Sequence, residues 1–162
     1  MTDWKYKRGL TLVEMLVVVG IIATLAAMAI VSIRRVENQS SENVTANAFA
    51  LLKSALREYY EYADEFPRQP DRIADRTTAL VHIRVMYSAL DAVPACREIL
   101  KGVDSILVQR HDNQPAMSRF YDPWGTPLDY VYVAGTDTFP ELISAGPDKL
   151  FGTTDDIRSK GK

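Results

Sequence analysis

The stretch from Met15 to Ile33 carries no charge, and one carboxylate, Glu14, stands immediately before it, inside the wider apolar concentration from Leu10 to Ile33. As an α-helix rising ~1.5 Å per residue, the stretch spans about 28 Å, close to the ~30 Å hydrocarbon thickness of a bilayer. It is long enough to cross a membrane once. Lys5, Lys7 and Arg8 precede it and Arg34 and Arg35 end it, so basic residues mark both boundaries and leave the orientation open. Two readings compete here: a cleaved secretory signal, with Ala27-Met28-Ala29 as a small-residue cleavage site, and a retained membrane helix. Glu14 favours retention. An ionised carboxylate inside a span costs on the order of 3 kcal/mol, and a segment that keeps one pairs it with a positive group at similar depth on a neighbouring helix.

The remainder of the 162-residue chain suffices for one small globular domain of roughly 100 residues. A net charge of -2 supplies no basic field, so nucleic acid is a poor partner. Cys96 is the single cysteine, which excludes an intramolecular disulfide and a Cys-based zinc cage; a small buried residue is the expectation. His82 and His111 lack neighbouring ligands at metal spacing and are expected in core or surface roles. No nucleophile–base pair and no phosphate-binding loop can be assembled, so the chain reads as non-enzymatic.

Beyond Arg35, Val44, Ala48, Leu51, Ala55, Tyr59 and Tyr62 recur at spacings of four and three, one face of an amphipathic helix. No proline interrupts Leu10 to Phe66, and Pro67 supplies a stop, so the spacing predicts one helix roughly 80 Å long. Gly20 and the alanines 23, 26, 27 and 29 suit close helix packing or bending, and a plain single-span anchor also fits. Arg57 and Glu61 are spaced for an i,i+4 pair, and the tyrosines of the Glu58 to Tyr62 cluster are read as packing residues.

In the segment 68–119 a helix is predicted over Thr77 to Leu90, a break at Pro94, a short helix from Cys96 to Lys101, and extended chain over Ser105 to Gln109. Asp122-Pro123-Trp124-Gly125-Thr126-Pro127 has tight-turn composition. Leu128 to Val133 and Glu141 to Ser144 read as strands joined through the Gly135-to-Pro140 turn, giving a small antiparallel sheet packed on the helix. The expected class is α+β.

The chain then runs through Ser144-Ala145-Gly146-Pro147-Asp148 to Thr154-Asp155-Asp156-Ile157, bringing three carboxylates into one glycine-containing loop. Composition leaves two readings open: a solvated acidic turn, or an oxygen cage for a hard cation such as calcium. The spacing does not fit an EF-hand.

Gly9-Leu10-Thr11-Leu12-Val13-Glu14, behind a short basic leader and ahead of the apolar run, resembles the cleavage and methylation signal of type IV prepilins. The resemblance implies cleavage after Gly9 by a prepilin peptidase, methylation of the new α-amino group of Leu10, and pairing of that cation with Glu14 during fibre assembly. Leu10 departs from the usual phenylalanine. Asp122-Pro123-Trp124-Gly125, a tyrosine-rich strand and the terminal Asp155-Asp156-Ile157 resemble the major pseudopilin, the G subunit of type II secretion systems. The resemblance covers residues 1 to 66 and 121 to 157. It implies a type IV pilin-like fold with a leader (1–9), a transmembrane and assembly half of the helix (10–34), an amphipathic half (35–66) and a globular domain (67–162), whose variable region is 68–119 and whose sheet and calcium loop are 120–157. It also implies calcium held by Asp148 and Asp155, with Asp156, Ser144 and the carbonyls of Leu142 and Ile157 contributing.

The implied partners are further copies of the chain, other pseudopilins, an inner-membrane platform and its cytoplasmic ATPase. The implied location is the inner membrane, single-pass, with the C-terminal domain in the periplasm and a role in protein export across the outer membrane. A type IV pilus or minor pilin subunit, and a membrane-tethered calcium module that never polymerises, are the alternatives.

Overall fold

The computed structural model describes residues 11–69, 76–107 and 120–160. Helix α1 runs without a break over Leu12–Ala63, and the chain divides into two compact units at Asn38 and Gln39. In the first unit, Leu12–Ala29 is long and apolar enough to cross a membrane, and none of it is buried. Its leucines, valines and isoleucines point outward on every side, among them Leu12, Leu16, Val19 and Leu25. A helix that is apolar all round has no face suited to water and needs an apolar surrounding.

The second unit joins the rest of α1 to α2 (Arg76–Asp91), α3 (Pro94–Leu107) and a three-stranded antiparallel sheet. The strands are β1 (Asp129–Val131), β2 (Glu141–Ser144) and β3 (Ile157–Arg158), ordered β1-β2-β3. Tyr130 pairs with Leu142, and Ser144 with Ile157. The core takes Ala48, Leu52, Ala55 and Leu56 from α1, Ile83, Met86 and Leu90 from α2, Leu100 and Val103 from α3, and Phe120, Leu128, Tyr130 and Leu142 from the sheet side.

The α+β architecture agrees with the sequence reading, and the helix face needs a correction. The buried stripe of α1 centres on Ala48, Leu52 and Ala55; Val44, Leu51 and Tyr59 flank it and Tyr62 is 75% exposed. Each residue advances about 100°, so Phe49, Leu52 and Leu56 shift the centre away from the edge on which Tyr62 falls. The helix also ends before Pro67. Asp64 takes φ +56° and its N–H donates to the Tyr60 carbonyl, a left-handed C-cap, and Phe66 and Pro67 are then buried.

Helix α2 lies close to its expected bounds, but α3 is longer than expected. Pro94 does separate the two helices and forms the first residue of α3, where its missing N–H has no helical partner to lose. Ser105 to Leu107, expected as extended chain, are helical, because Val103 and Leu107 continue the apolar face begun by Cys96 and Leu100. Val108 and Gln109 lie outside the described residues. Strand β3 was not anticipated: two residues are too few to show an alternation. Arg57 forms no ion pair with Glu61 among the described residues; its guanidinium lies 5.8 Å from the centroid of the Phe139 ring.

Cys96 is buried, with its thiol against the Ala55 carbonyl at 3.4 Å; burial pushes its pKa up, so it is an unreactive packing residue. His82 is also a core residue. Its Nδ1 lies 2.7 Å from the buried Asp129 carboxylate, and this contact ties α2 to β1. The amide of Gln69 lies beside the ring, and its oxygen accepts from the N–H of Tyr132 at 2.9 Å. Burial pushes the Asp129 carboxyl above the ordinary range, partly opposed by the His82 hydrogen bond.

Candidate functional site

Two places answer to the site residues read from the sequence. The first is the start of α1. Thr11 donates from both its N–H and its hydroxyl to Glu14 Oε2, each at 2.8 Å, and the Glu14 N–H lies 3.3 Å from Thr11 Oγ1. This is a reciprocal capping box: the threonine and the glutamate each satisfy a backbone donor that the first turn of a helix leaves without a partner. The expectation for Glu14 is a counter-charge alone; the structure adds a capping role for Thr11, for which Thr11-Leu12-Val13-Glu14 has the Ser/Thr-x-x-Glu spacing that precedes apolar helices. Gly9 and Leu10, the expected cleavage and methylation positions, lie outside the described residues.

The second place is the acidic loop between β2 and β3. Gly146 (φ +66°), Lys149 (φ +63°) and Gly152 (φ +87°) turn the chain through left-handed conformations. A Cβ at Gly146 would collide with the backbone carbonyl of Asp155, so only glycine allows the two limbs of the loop to approach.

Within this frame the Asp148 N–H donates to Asp155 Oδ2 at 3.1 Å, and the Thr153 hydroxyl donates to Asp155 Oδ1. The Thr153 bond, helped by the Asp148 amide, holds the Asp155 carboxyl below the ordinary range. Asp148 Oδ1 accepts from the Leu150 N–H at 2.8 Å and remains exposed. Asp156 turns inward and is 4% exposed; its Oδ2 accepts from Gly152 N–H at 3.0 Å and from Arg158 at 3.1 Å.

The structure therefore brings Asp148 and Asp155 together and sets Asp156 on the inner side of the same loop. The other three named residues lie at the loop's roots. Ser144 pairs with Ile157 across β2 and β3, and the Leu142 carbonyl accepts from the Ser159 N–H at 2.9 Å. The Ser144 hydroxyl donates to Asp122 Oδ2 at 2.7 Å. Asp122, Thr153, Gly152 and Arg158 were not singled out as site residues. Asp122 was legible only as a turn former, because its partner lies 22 residues away.

The fit to calcium divides by observation. Donor chemistry agrees: carboxylates, a hydroxyl and turned backbone are the hard oxygens calcium takes. Asp156 Oδ1 is buried with no hydrogen-bond partner, the kind of acceptor that a cation would satisfy. Against this, no three His, Cys, Asp or Glu side chains converge as a metal cluster among the described residues. The carboxylates of Asp148 and Asp155 are occupied by donors within the loop, so binding would exchange hydrogen bonds for metal contacts.

The family described as "Prokaryotic N-terminal methylation motif" matches residues 4–30. The chain carries a type IV pilin-like N-terminus. It is also 27% identical over 157 residues to the type II secretion system core protein G of Escherichia coli (strain K12), covering 96% of this chain and 92% of that protein. No solved structure matches. The methylation motif overlaps the capped, uncovered helix start, and the similarity to protein G runs on through the domain and the acidic loop.

Proposed function

We infer that this chain is a pseudopilin-like structural subunit. The methylation motif coincides with a helix whose apolar residues are exposed on every side from Leu12 to Ala29, and this coincidence carries the reading. Such a segment is stable in a bilayer or against copies of itself, and the similarity to protein G favours a secretion pseudopilus over an adhesive pilus. In this reading a prepilin peptidase cuts between Gly9 and Leu10, the Leu10 amine is methylated, and Glu14 supplies the counter-charge as subunits enter the fibre. The C-terminal domain is periplasmic. An inner-membrane platform with its ATPase supplies the work, and other pseudopilins share the fibre that supports export across the outer membrane.

The test is the mature N-terminus. Mass spectrometry of the chain from membranes should find a start at methylated Leu10, whereas a start after Ala29 would make the run a secretory signal and end the reading.

We further propose that the acidic loop binds calcium through Asp148, Asp155 and Asp156, with Ser144 and the carbonyls of Leu142 and Ile157 at its base. The orphaned oxygen of Asp156 supports this. Bound calcium would neutralise neighbouring carboxylates and order the loop in place of a disulfide, which one cysteine cannot form. Calcium should raise the melting temperature of the full chain in detergent and EGTA should reverse the rise; equal melting in both, with no bound calcium, would remove the metal from the reading.

A further inference from the structure

Asp122 lies outside the loop, yet the loop's first turn is suspended from it. The Asp122–Thr126 turn is fixed by its own backbone: Asp122 N–H donates to the Thr126 carbonyl at 2.7 Å, and Gly125 N–H donates to the Asp122 carbonyl at 2.9 Å. The Asp122 side chain is 1% exposed, and Oδ1 accepts from the Thr126 N–H at 2.8 Å. Its other oxygen takes the hydroxyl proton of Ser144, and the Ser144 oxygen accepts from the Gly146 N–H at 3.1 Å. An ionised carboxylate can only accept, so it turns the hydroxyl proton toward itself and leaves the serine oxygen's lone pairs to the Gly146 amide. The relay ends at the glycine where a Cβ would collide with the Asp155 carbonyl.

We propose that Asp122 is a positioning residue for the acidic loop: acting through Ser144, it fixes Gly146 and with it the spacing between the Asp148 and Asp155 limbs. In this proposal Ser144, at the base of the calcium site, serves it through the Gly146 amide and not as a ligand: its proton is committed to Asp122 and one lone pair to Gly146. The metal half of this inference rests on the calcium reading above; the loop-positioning half does not.

Asp122→Asn reverses the relay, because the amide offers a donor where the serine hydroxyl needs an acceptor. Ser144→Ala deletes it while leaving the Asp122–Thr126 bond in place. Two measurements on the full chain in detergent micelles test the proposal: titration with calcium chloride, and hydrogen exchange of peptides covering 144–157 in EGTA.

Each variant should weaken calcium binding about tenfold, the loss of one hydrogen bond to a charged group, and the double variant should be no weaker than either single. Loop exchange should rise several-fold in EGTA while α2 stays protected. A Ser144→Ala loss with Asp122→Asn unchanged would make the hydroxyl a ligand and overturn the proposal. Additive losses, or unchanged loop exchange in both variants, would overturn it as well. If the wild-type chain binds no calcium, the metal reading fails alone and exchange still decides the relay. If Asp122→Asn loosens α2 too, the Ser144→Ala exchange result decides.

Discussion

Residues 12–29 and residues 44–56 belong to one helix and are stabilised in opposite ways. In the first stretch nothing is buried; in the second, Ala48, Leu52, Ala55 and Leu56 are fully buried while Ala46, Asn47, Ala50 and Ser54 are exposed. Backbone hydrogen bonds serve both equally. The apolar residues of the first must find their partners in lipid or in other chains, whereas those of the second find them in α2, α3 and the sheet. In the proposed fibre this division lets assembly be altered without unfolding the domain, and the reverse.

The largest effect that would break the comparison is at Glu14. Glutamine preserves the capping box, which accepts Glu or Gln, but removes the charge. Glu14→Gln should therefore abolish fibre formation, measured by cross-linking and microscopy, while urea unfolding of the domain is unchanged. Normal fibres from this variant would show that Glu14 serves only as a cap.

The converse is Leu52→Ala. Truncating a fully buried leucine costs about 3 kcal/mol, so the urea midpoint should fall sharply while membrane insertion is retained. A loss of insertion would mean that the two stretches are not independent.

Gly146→Ala should cost on the order of 2 kcal/mol, from the left-handed backbone and the collision with the Asp155 carbonyl. The measured loss should fall on the β2–β3 loop by hydrogen exchange and leave residues 12–29 untouched. An unperturbed loop would show that the limbs have room to part.

The smallest effect is a pH slope. Burial raises the Asp129 carboxyl, so the folded chain keeps a proton that the unfolded chain has lost. Stability should then fall as pH rises from the ordinary aspartate value of about 3.9 toward the raised one, by no more than about 1.4 kcal/mol per pH unit. Asp129→Asn should flatten that slope in urea titrations. A slope that persists would assign the proton elsewhere.

Much of the fold was legible for a local reason. The apolar span, α2 and strands β1 and β2 each show their own period or composition, and the DPWG turn carries its conformation in its residue types. Helix bounds were less legible: the end of α1 is set by Asp64 in a left-handed cap, where glycine is the usual signal, and α3 extends because neighbouring elements cover Val103 and Leu107. In the acidic loop the three carboxylates could be named from the sequence, but the relay through Asp122 could not, since it joins side chains 22 residues apart.

By itself the sequence determined what spacing and residue type fix within a few turns of chain: a membrane-length helix with one carboxylate near its start, an amphipathic continuation, and a loop rich in oxygen donors. Tertiary structure alone decided which edge of α1 is buried, that His82 meets Asp129 in the core, and that the Ser144 hydroxyl faces Asp122. The reason is range. Backbone hydrogen bonds and periodicity act between near neighbours and leave a local pattern, whereas burial and side-chain pairing depend on which distant segment arrives, and no local pattern encodes that.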